Sequence, residues 1–413
     1  MYLERNITEK LKKITKIFPI IILAGARQVG KSTLLQKIFP NYDYVVFDPI
    51  IDIENARTDP ELFLKNHKTP LILDEIQCVP ELIPVLKRTI DKNKKPNQFI
   101  LTGSQQWEVL KNISESLAGR AVFLNLHNFS LHEISQKKYN KIFWLQDWLE
   151  NPKEFFKNKK KQKTIKTNKF LFEQLWTGFY PEAQNIFLEF IPDFYNSYIK
   201  TYIERDVRKI ANVEDQSLFR RYVGLIAALT AQEINYNQIG RELGITHQTA
   251  KRWLNILIGT FLWYEIPCFS MNMIKKISKK PKGYLSDTGL ICNLQAISNP
   301  QVLASYPMWG SIFETAVVNQ IIKIINLFKT PPKLYHWRSH GGAEVDLILE
   351  YNGAYYPIEI KANSNPKSKD IRGLIEFKKT YANLDIKAAL VLCPTENIYT
   401  LAEDIYCIPW DLY

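Results

Sequence analysis

Cysteine is scarce and unpatterned in this chain of 413 residues. The five present (Cys78, Cys268, Cys292, Cys393 and Cys407) are odd in number, scattered, and form no C-x-x-C pair. That argues against a disulfide framework and a zinc site, and predicts reduced core thiols in a cytoplasmic protein. Long apolar runs are missing too. None approaches the roughly 18 residues needed to cross a bilayer, so no membrane role is expected. The start, Met1-Tyr2-Leu3-Glu4-Arg5, has neither the basic beginning nor the apolar core of a secretion signal. His247, His336 and His340 have no convincing partner ligands and are read as surface or core residues.

What is present is a folded, core-forming composition, 46% hydrophobic and 13% aromatic. The length predicts about two to four domains. A net charge of +12 suits an anionic partner such as nucleic acid. Its distribution weakens that inference, because eight lysines fall between Lys153 and Lys169. Such a run reads as a solvated insertion rather than a dedicated patch.

The strongest pattern is Gly25-Ala26-Arg27-Gln28-Val29-Gly30-Lys31-Ser32, set between the apolar run Pro19 to Ala24 and a helical pattern. This is the G-x-x-x-x-G-K-[ST] spacing in the strand–loop–helix context it needs. Gly25 and Gly30 allow backbone angles a side chain would forbid. The loop can then turn its N–H groups around a phosphate chain at the positive end of the next helix. Lys31 is expected to reach the β- and γ-phosphates, and Ser32 to complete a Mg²⁺ shell. Further strands are predicted at Tyr44 to Asp48, Pro70 to Glu75 and Gln98 to Leu101. Ligands collect at the carboxyl ends of parallel strands, and the run from Pro70 ends in Asp74-Glu75. Asp74 is expected to hold Mg²⁺ and Glu75 to polarise the attacking water.

Four motifs in order carry a resemblance: Gly25 through Thr33, Leu73-Asp74-Glu75-Ile76-Gln77, Thr102-Gly103-Ser104 and Ser116-Leu117-Ala118-Gly119-Arg120. The region to Ile134 resembles the AAA-type ATPases of bacteria and archaea that carry a C-terminal domain of unknown function. The resemblance implies ATP and Mg²⁺ as ligands and Gly25, Ala26, Arg27, Gln28, Val29, Gly30, Lys31, Ser32 and Thr33 as the ATP-binding set. It also implies Ser104 as γ-phosphate sensor and Arg120 as a finger toward a neighbouring subunit, hence a homo-oligomer or partner protein. Leu175 to Glu182 and Tyr202 to Val207 resemble two later segments of the same family, although Phe179 stands where a second Gly is common. Phe194 to Ile210 is expected to form a helical lid, with Arg205 as a nucleotide contact or a salt-bridge partner.

Downstream, Asn237 to Leu254 has helix-turn-helix spacing. Its first helix stops at Gly244, and Thr246 caps the second, which would present His247, Gln248, Lys251 and Arg252 to DNA or to a protein. Strand-like segments at Thr260 to Phe269 and Gly283 to Ser286, with Lys275-Lys276 and Lys279-Lys280-Pro281-Lys282 between them, predict a wing with a basic tip. In the C-terminal stretch Glu314, Asp346, Glu359 and Lys361 form an E…D…E-x-K series. This resembles restriction-endonuclease-like phosphodiesterases and implies a second divalent ion, Mg²⁺ or Mn²⁺. A relic site or a structural ion-pair cluster is the other reading. The expected architecture is α/β multidomain, in four parts. Residues 1–135 form a P-loop AAA-type parallel sheet, 136–215 an insertion and lid, 216–295 a winged helix-turn-helix, and 296–413 a restriction-endonuclease-like α/β domain. Three functions fit: an ATP-hydrolysing switch for modules that engage nucleic acid, an ATP-regulated metal-dependent DNA nuclease, or a nucleotide-gated DNA-binding or scaffold protein without turnover.

Overall fold

Five consecutive apolar residues make a strand that must be covered on both faces. The run Ile20–Ala24 (β1) is wholly buried. In this computed structural model it lies between two parallel neighbours. The structure describes residues 2–47, 53–103, 117–135, 143–157, 163–207, 213, 215–272 and 279–412, with no side chains for 204–207. Asp43–Val46 (β2), Leu71–Asp74 (β3), Phe99–Gly103 (β4) and Ala121–Asn125 (β5) complete a parallel sheet of order β2-β3-β4-β1-β5. Ile22 pairs with Leu101 on one side and Phe123 on the other. The phosphate-loop segment therefore leaves the carboxyl end of the central region, next to the ends of β3 and β4.

Three helices (Gln216–Ala228, Tyr236–Leu243, His247–Gly259) follow, with a small antiparallel sheet of order β6-β8-β7. Its strands are Gln232–Glu233 (β6), Trp263–Ile266 (β7) and Lys282–Leu285 (β8). The hairpin expected from the sequence is thus present but shorter. Lys282 is not at its tip: it opens β8 and is buried.

The third sheet is mixed, in the order β13-β14-β12-β11-β10-β9. It is built from Lys333–Arg338 (β9), Glu344–Tyr351 (β10), Ala354–Ile360 (β11), Ala389–Cys393 (β12), Tyr399–Ala402 (β13) and Ile405–Pro409 (β14). The long helix Trp309–Ile325 connects it to the rest and buries residues on most of its surface. Among the described residues no helix is long and apolar enough to cross a membrane.

Candidate functional site: the phosphate loop and its connections

The loop closes tightly over the sheet. A Cβ on Gly25 would sit 2.2 Å from the Leu126 carbonyl oxygen, so only glycine fits there. Gly30, at φ 91°, turns the chain into the helix Lys31–Ile38. That helix start has no capping side chain and no acidic residue in its first turn. Its positive end is left for an anion. Lys31 Nζ donates to the Gly25 and Ala26 carbonyls, 2.9 Å each. Burial pulls its pKa down to about 8, against the attraction of Glu75 and Asp74. Val29 is buried, Gln28 and Thr33 are exposed, and the Arg27 guanidinium lies 5.5 Å from the centroid of the Tyr202 ring. Tyr202 belongs to the wide-turned helical stretch Ile199–Val207 that continues Ile191–Tyr198.

Asp74 ends β3 with both oxygens engaged. Ser32 Oγ donates to Oδ2 at 2.6 Å, the Tyr44 hydroxyl donates to the same oxygen, and Thr102 donates to Oδ1. Glu75 follows in the left-handed region at φ 59°, ψ 46°, where a bulky residue persists only under constraint. Its N–H donates to Thr102 Oγ1 at 3.2 Å, and the Gln77 amide donates to its carboxylate. Ser32 and Asp74 form an all-oxygen donor pair at the loop, which suits Mg²⁺. The sequence marked Tyr44 only as a strand residue and Thr102 only as part of the Thr102-Gly103-Ser104 motif; their contact with Asp74 depends on β2 and β4 flanking β3. The Ser104 assignment falls outside the described residues.

Arg120 makes a two-point ion pair with Asp91, at 2.6 and 2.9 Å, on the surface of its own domain. Because Ala121 pairs with Ile20, Arg120 sits at the amino edge of the sheet, opposite the phosphate loop. It does not serve its own nucleotide site, and a finger role requires a second copy.

One residue that the sequence did not mark holds the loop from behind. Buried Arg5 donates through Nη1 to the Val29 carbonyl at 2.7 Å and through Nη2 to the His127 carbonyl at 2.5 Å, and pairs with Glu133 at 3.1 Å. Glu133 lies in the short helix Leu131–Ile134, whose first N–H is bonded to Gln320. Gln320 belongs to the long helix Trp309–Ile325, and Lys323, one turn further along it, donates to the Phe129 carbonyl at 2.8 Å and lies over the Phe179 ring. The long helix is therefore fastened to the β5 edge of the five-stranded parallel sheet.

Burial pulls Lys323 down to about 7, against Asp287 and Glu133 and with Arg5 adding to the effect. Unfolded, this lysine keeps its proton to about pH 10.5. Between those limits the unfolded chain binds the extra proton, so stability rises with pH. The slope is expected to reach up to about 1.4 kcal/mol per pH unit. Urea unfolding at pH 7, 8 and 9 should show it, and Lys323→Met should remove it. Equal slopes in the two proteins would refute the assignment.

At the C-terminal cluster the structure brings all four expected residues together. The Leu347–Ile358 pairing sets Asp346 opposite Glu359 on the neighbouring strand, and Glu314 enters from the helix. Lys361 lies just past β11 rather than on it, 2.5 Å from Glu359 Oε1. A fifth residue stands among them: Lys282 Nζ contacts Glu314, Asp346 and also Glu344. Among the described residues no group of three or more His, Cys, Asp or Glu is arranged to hold a metal. The set does not fit the expected second ion, because an ammonium already satisfies it. On the second helix of the middle unit, His247, Gln248, Lys251 and Arg252 are all exposed, while Ala250, Trp253 and Leu254 are buried.

Residues 18–135 match the AAA domain, residues 168–301 a domain of unknown function (DUF8612), and residues 309–413 another (DUF4143). An uncharacterized protein of Mycobacterium tuberculosis is 26% identical over 409 residues, spanning 98% of this chain and 83% of its own length. An uncharacterized protein of Mycobacterium bovis gives the same figures. Among solved structures, a Walker-type ATPase of Pyrococcus abyssi aligns at TM-score 0.39 and 15% identity, covering 70% of this chain and 94% of that one. The Thermotoga maritima RuvB Holliday junction branch migration motor aligns at TM-score 0.31 and 14% identity, covering 64% and 90%. The chain thus joins a segment that matches the AAA domain, a P-loop ATPase domain, to a C-terminal segment that matches DUF4143.

Proposed function

We propose that the chain binds Mg²⁺–ATP at residues 25–33 and hydrolyses it with Glu75 as general base, so that the nucleotide state sets the arrangement of the C-terminal modules. One observation carries this: Ser32, Asp74, Thr102 and the Glu75 N–H form a continuous hydrogen-bonded line beside the loop. Ser32 and Asp74 are the residues to hold Mg²⁺, which when bound neutralises charge on the β- and γ-phosphates. Lys31 exchanges two loop carbonyls for phosphate oxygens. Glu75 takes the proton of the attacking water as its oxygen bonds to the γ-phosphorus and the bond to the ADP oxygen breaks. The Arg5 contacts to Val29 and Glu133, continued through Gln320 and Lys323, support transmission to the C-terminal helix. Steady-state phosphate release by the wild-type chain and by Glu75→Gln tests the hydrolytic step.

A second reading concerns the output. The order helix, β6, helix, helix, β7, β8 supports a winged helix-turn-helix, and its exposed His247, Gln248, Lys251 and Arg252 favour nucleic acid as the partner. Fluorescence anisotropy with duplex DNA should show salt-sensitive binding that Lys251→Ala/Arg252→Ala weakens by at least tenfold, about 1.4 kcal/mol. Binding that ignores salt, or the double substitution, removes DNA from the reading. For the C-terminal sheet the antiparallel β9–β10–β11 set continuing into parallel β12 supports a restriction-endonuclease-like fold without cleavage chemistry.

A further inference from the structure

Lys282 sits where a basic wing tip was expected, yet only 3% of it is exposed. Its backbone is held on both sides, opposite Glu233 in β6 and Ile266 in β7. The side chain crosses from this small sheet to the C-terminal one. There Nζ lies 2.7 Å from Glu314 Oε1, 2.8 Å from Glu344 Oε1 and 2.9 Å from Asp346 Oδ1. An ammonium has three N–H donors, and each has a carboxylate from a different residue. Tyr284, two residues along the same strand face, donates to Glu314 Oε1 at 2.8 Å. Asp346 Oδ2 accepts from the Ile360 N–H at 2.9 Å, and the pairing of β10 with β9 shifts between Val345 and Ile348, around this aspartate.

We propose that the Lys282 ammonium occupies the position a divalent cation would need, so that Glu314, Glu344 and Asp346 clasp the β8 strand to the C-terminal sheet without metal. Two features support this. A divalent ion would have to break three ion pairs and pull the central strand of the small sheet. The charge excess is also relieved without a metal: four carboxyl groups, counting Glu359, face two lysines, counting Lys361. Burial drives Glu314 up to about 7 and Glu359 well above the usual carboxyl range. Glu359, 6% exposed, keeps one carboxyl oxygen without a hydrogen-bond partner among the described residues. The clasp joins residues 62 and 64 positions apart in sequence and makes the wing-like hairpin part of the C-terminal unit. This inference stands apart from the ATPase reading, since metal binding here is independent of turnover.

Mn²⁺ binding to the full chain without nucleotide, followed by the electron paramagnetic resonance of free Mn²⁺, tests it. Wild type and Asp346→Asn are expected to bind the same number of ions. Lys282→Met should lower the thermal midpoint by roughly 4–6 °C. It should bind one Mn²⁺ more than wild type, and Lys282→Met/Asp346→Asn should lose that ion again. Lys282→Gln replaces Lys282→Met if the latter does not fold. Crystals of the wild-type chain soaked in Mn²⁺ should show no anomalous peak between Glu314, Asp346 and Glu359. An Asp346-dependent ion in the wild type, such a peak, or a folded Lys282 variant that gains no ion would each overturn the proposal.

Discussion

Replacing Glu75 by glutamine should leave ATP binding intact and slow phosphate release by about 10²–10⁴-fold, the usual share of a general base. The substitution keeps size and hydrogen-bonding capacity but removes the proton acceptor. The Gln77 contact and the N–H bond to Thr102 both survive it, so the left-handed turn at Glu75 is preserved. The loss should therefore appear in kcat with KM nearly unchanged, the signature of an interaction made only in the transition state. Lys31→Ala would behave differently. On the proposed reading it would remove a group that meets the phosphates in ground and transition states alike, and should weaken binding as well. Steady-state phosphate release, with a fluorescent ATP analogue for binding, separates the two. A Glu75→Gln rate within threefold of wild type would show that another group handles the water.

The parts of this site that could be read in advance are those whose spacing is local. The loop from Gly25 to Ser32 and the Asp74-Glu75 strand end are set by neighbours within eight residues, and apolar runs mark the strands as buried and parallel, without giving their order. The supporting contacts are not local. Tyr44 and Thr102 reach Asp74 over 30 and 28 residues, and Arg5 reaches Glu133 over 128. No periodicity encodes such meetings, because they arise from which strands lie side by side. Lys282 was misplaced for a related reason. In a run of lysines each charge reads as solvated, and only the alternation of β8, with Lys282 and Tyr284 on one face, distinguishes it. Arg120 shows the limit from the other side. Its motif position was clear, but its engagement with Asp91 rests on a helix 29 residues earlier.

Asp287→Ala should be the most destabilising single change at the joint between the modules, by about 3–5 kcal/mol, lowering the thermal midpoint by roughly 4–6 °C. The carboxylate is fully buried and accepts four hydrogen bonds. Tyr195 Oη and the Leu290 N–H donate to Oδ1, at 2.7 and 3.0 Å. The Phe179 N–H and Asn128 Nδ2 donate to Oδ2, at 2.7 and 2.8 Å. These donors come from the segment just past the five-stranded sheet, the turn after the helix Leu171–Thr177, the helix Ile191–Tyr198 and Asp287's own helix, so one side chain ties four segments. Burial pushes its carboxyl above the usual range, against the pull of Tyr195, the two amides and Lys323. Truncation leaves buried donors without acceptors, each costing about 1–3 kcal/mol. Asp287→Asn is the sharper variant, because only an acceptor-only group suits four donors. Asparagine must turn its own N–H₂ toward either the Tyr195 and Leu290 pair or the Phe179 and Asn128 pair, and should lose most of what alanine loses. Differential scanning calorimetry of both variants decides the matter. An Asp287→Asn protein as stable as wild type would mean that the cavity's shape, rather than this carboxylate, holds the modules together.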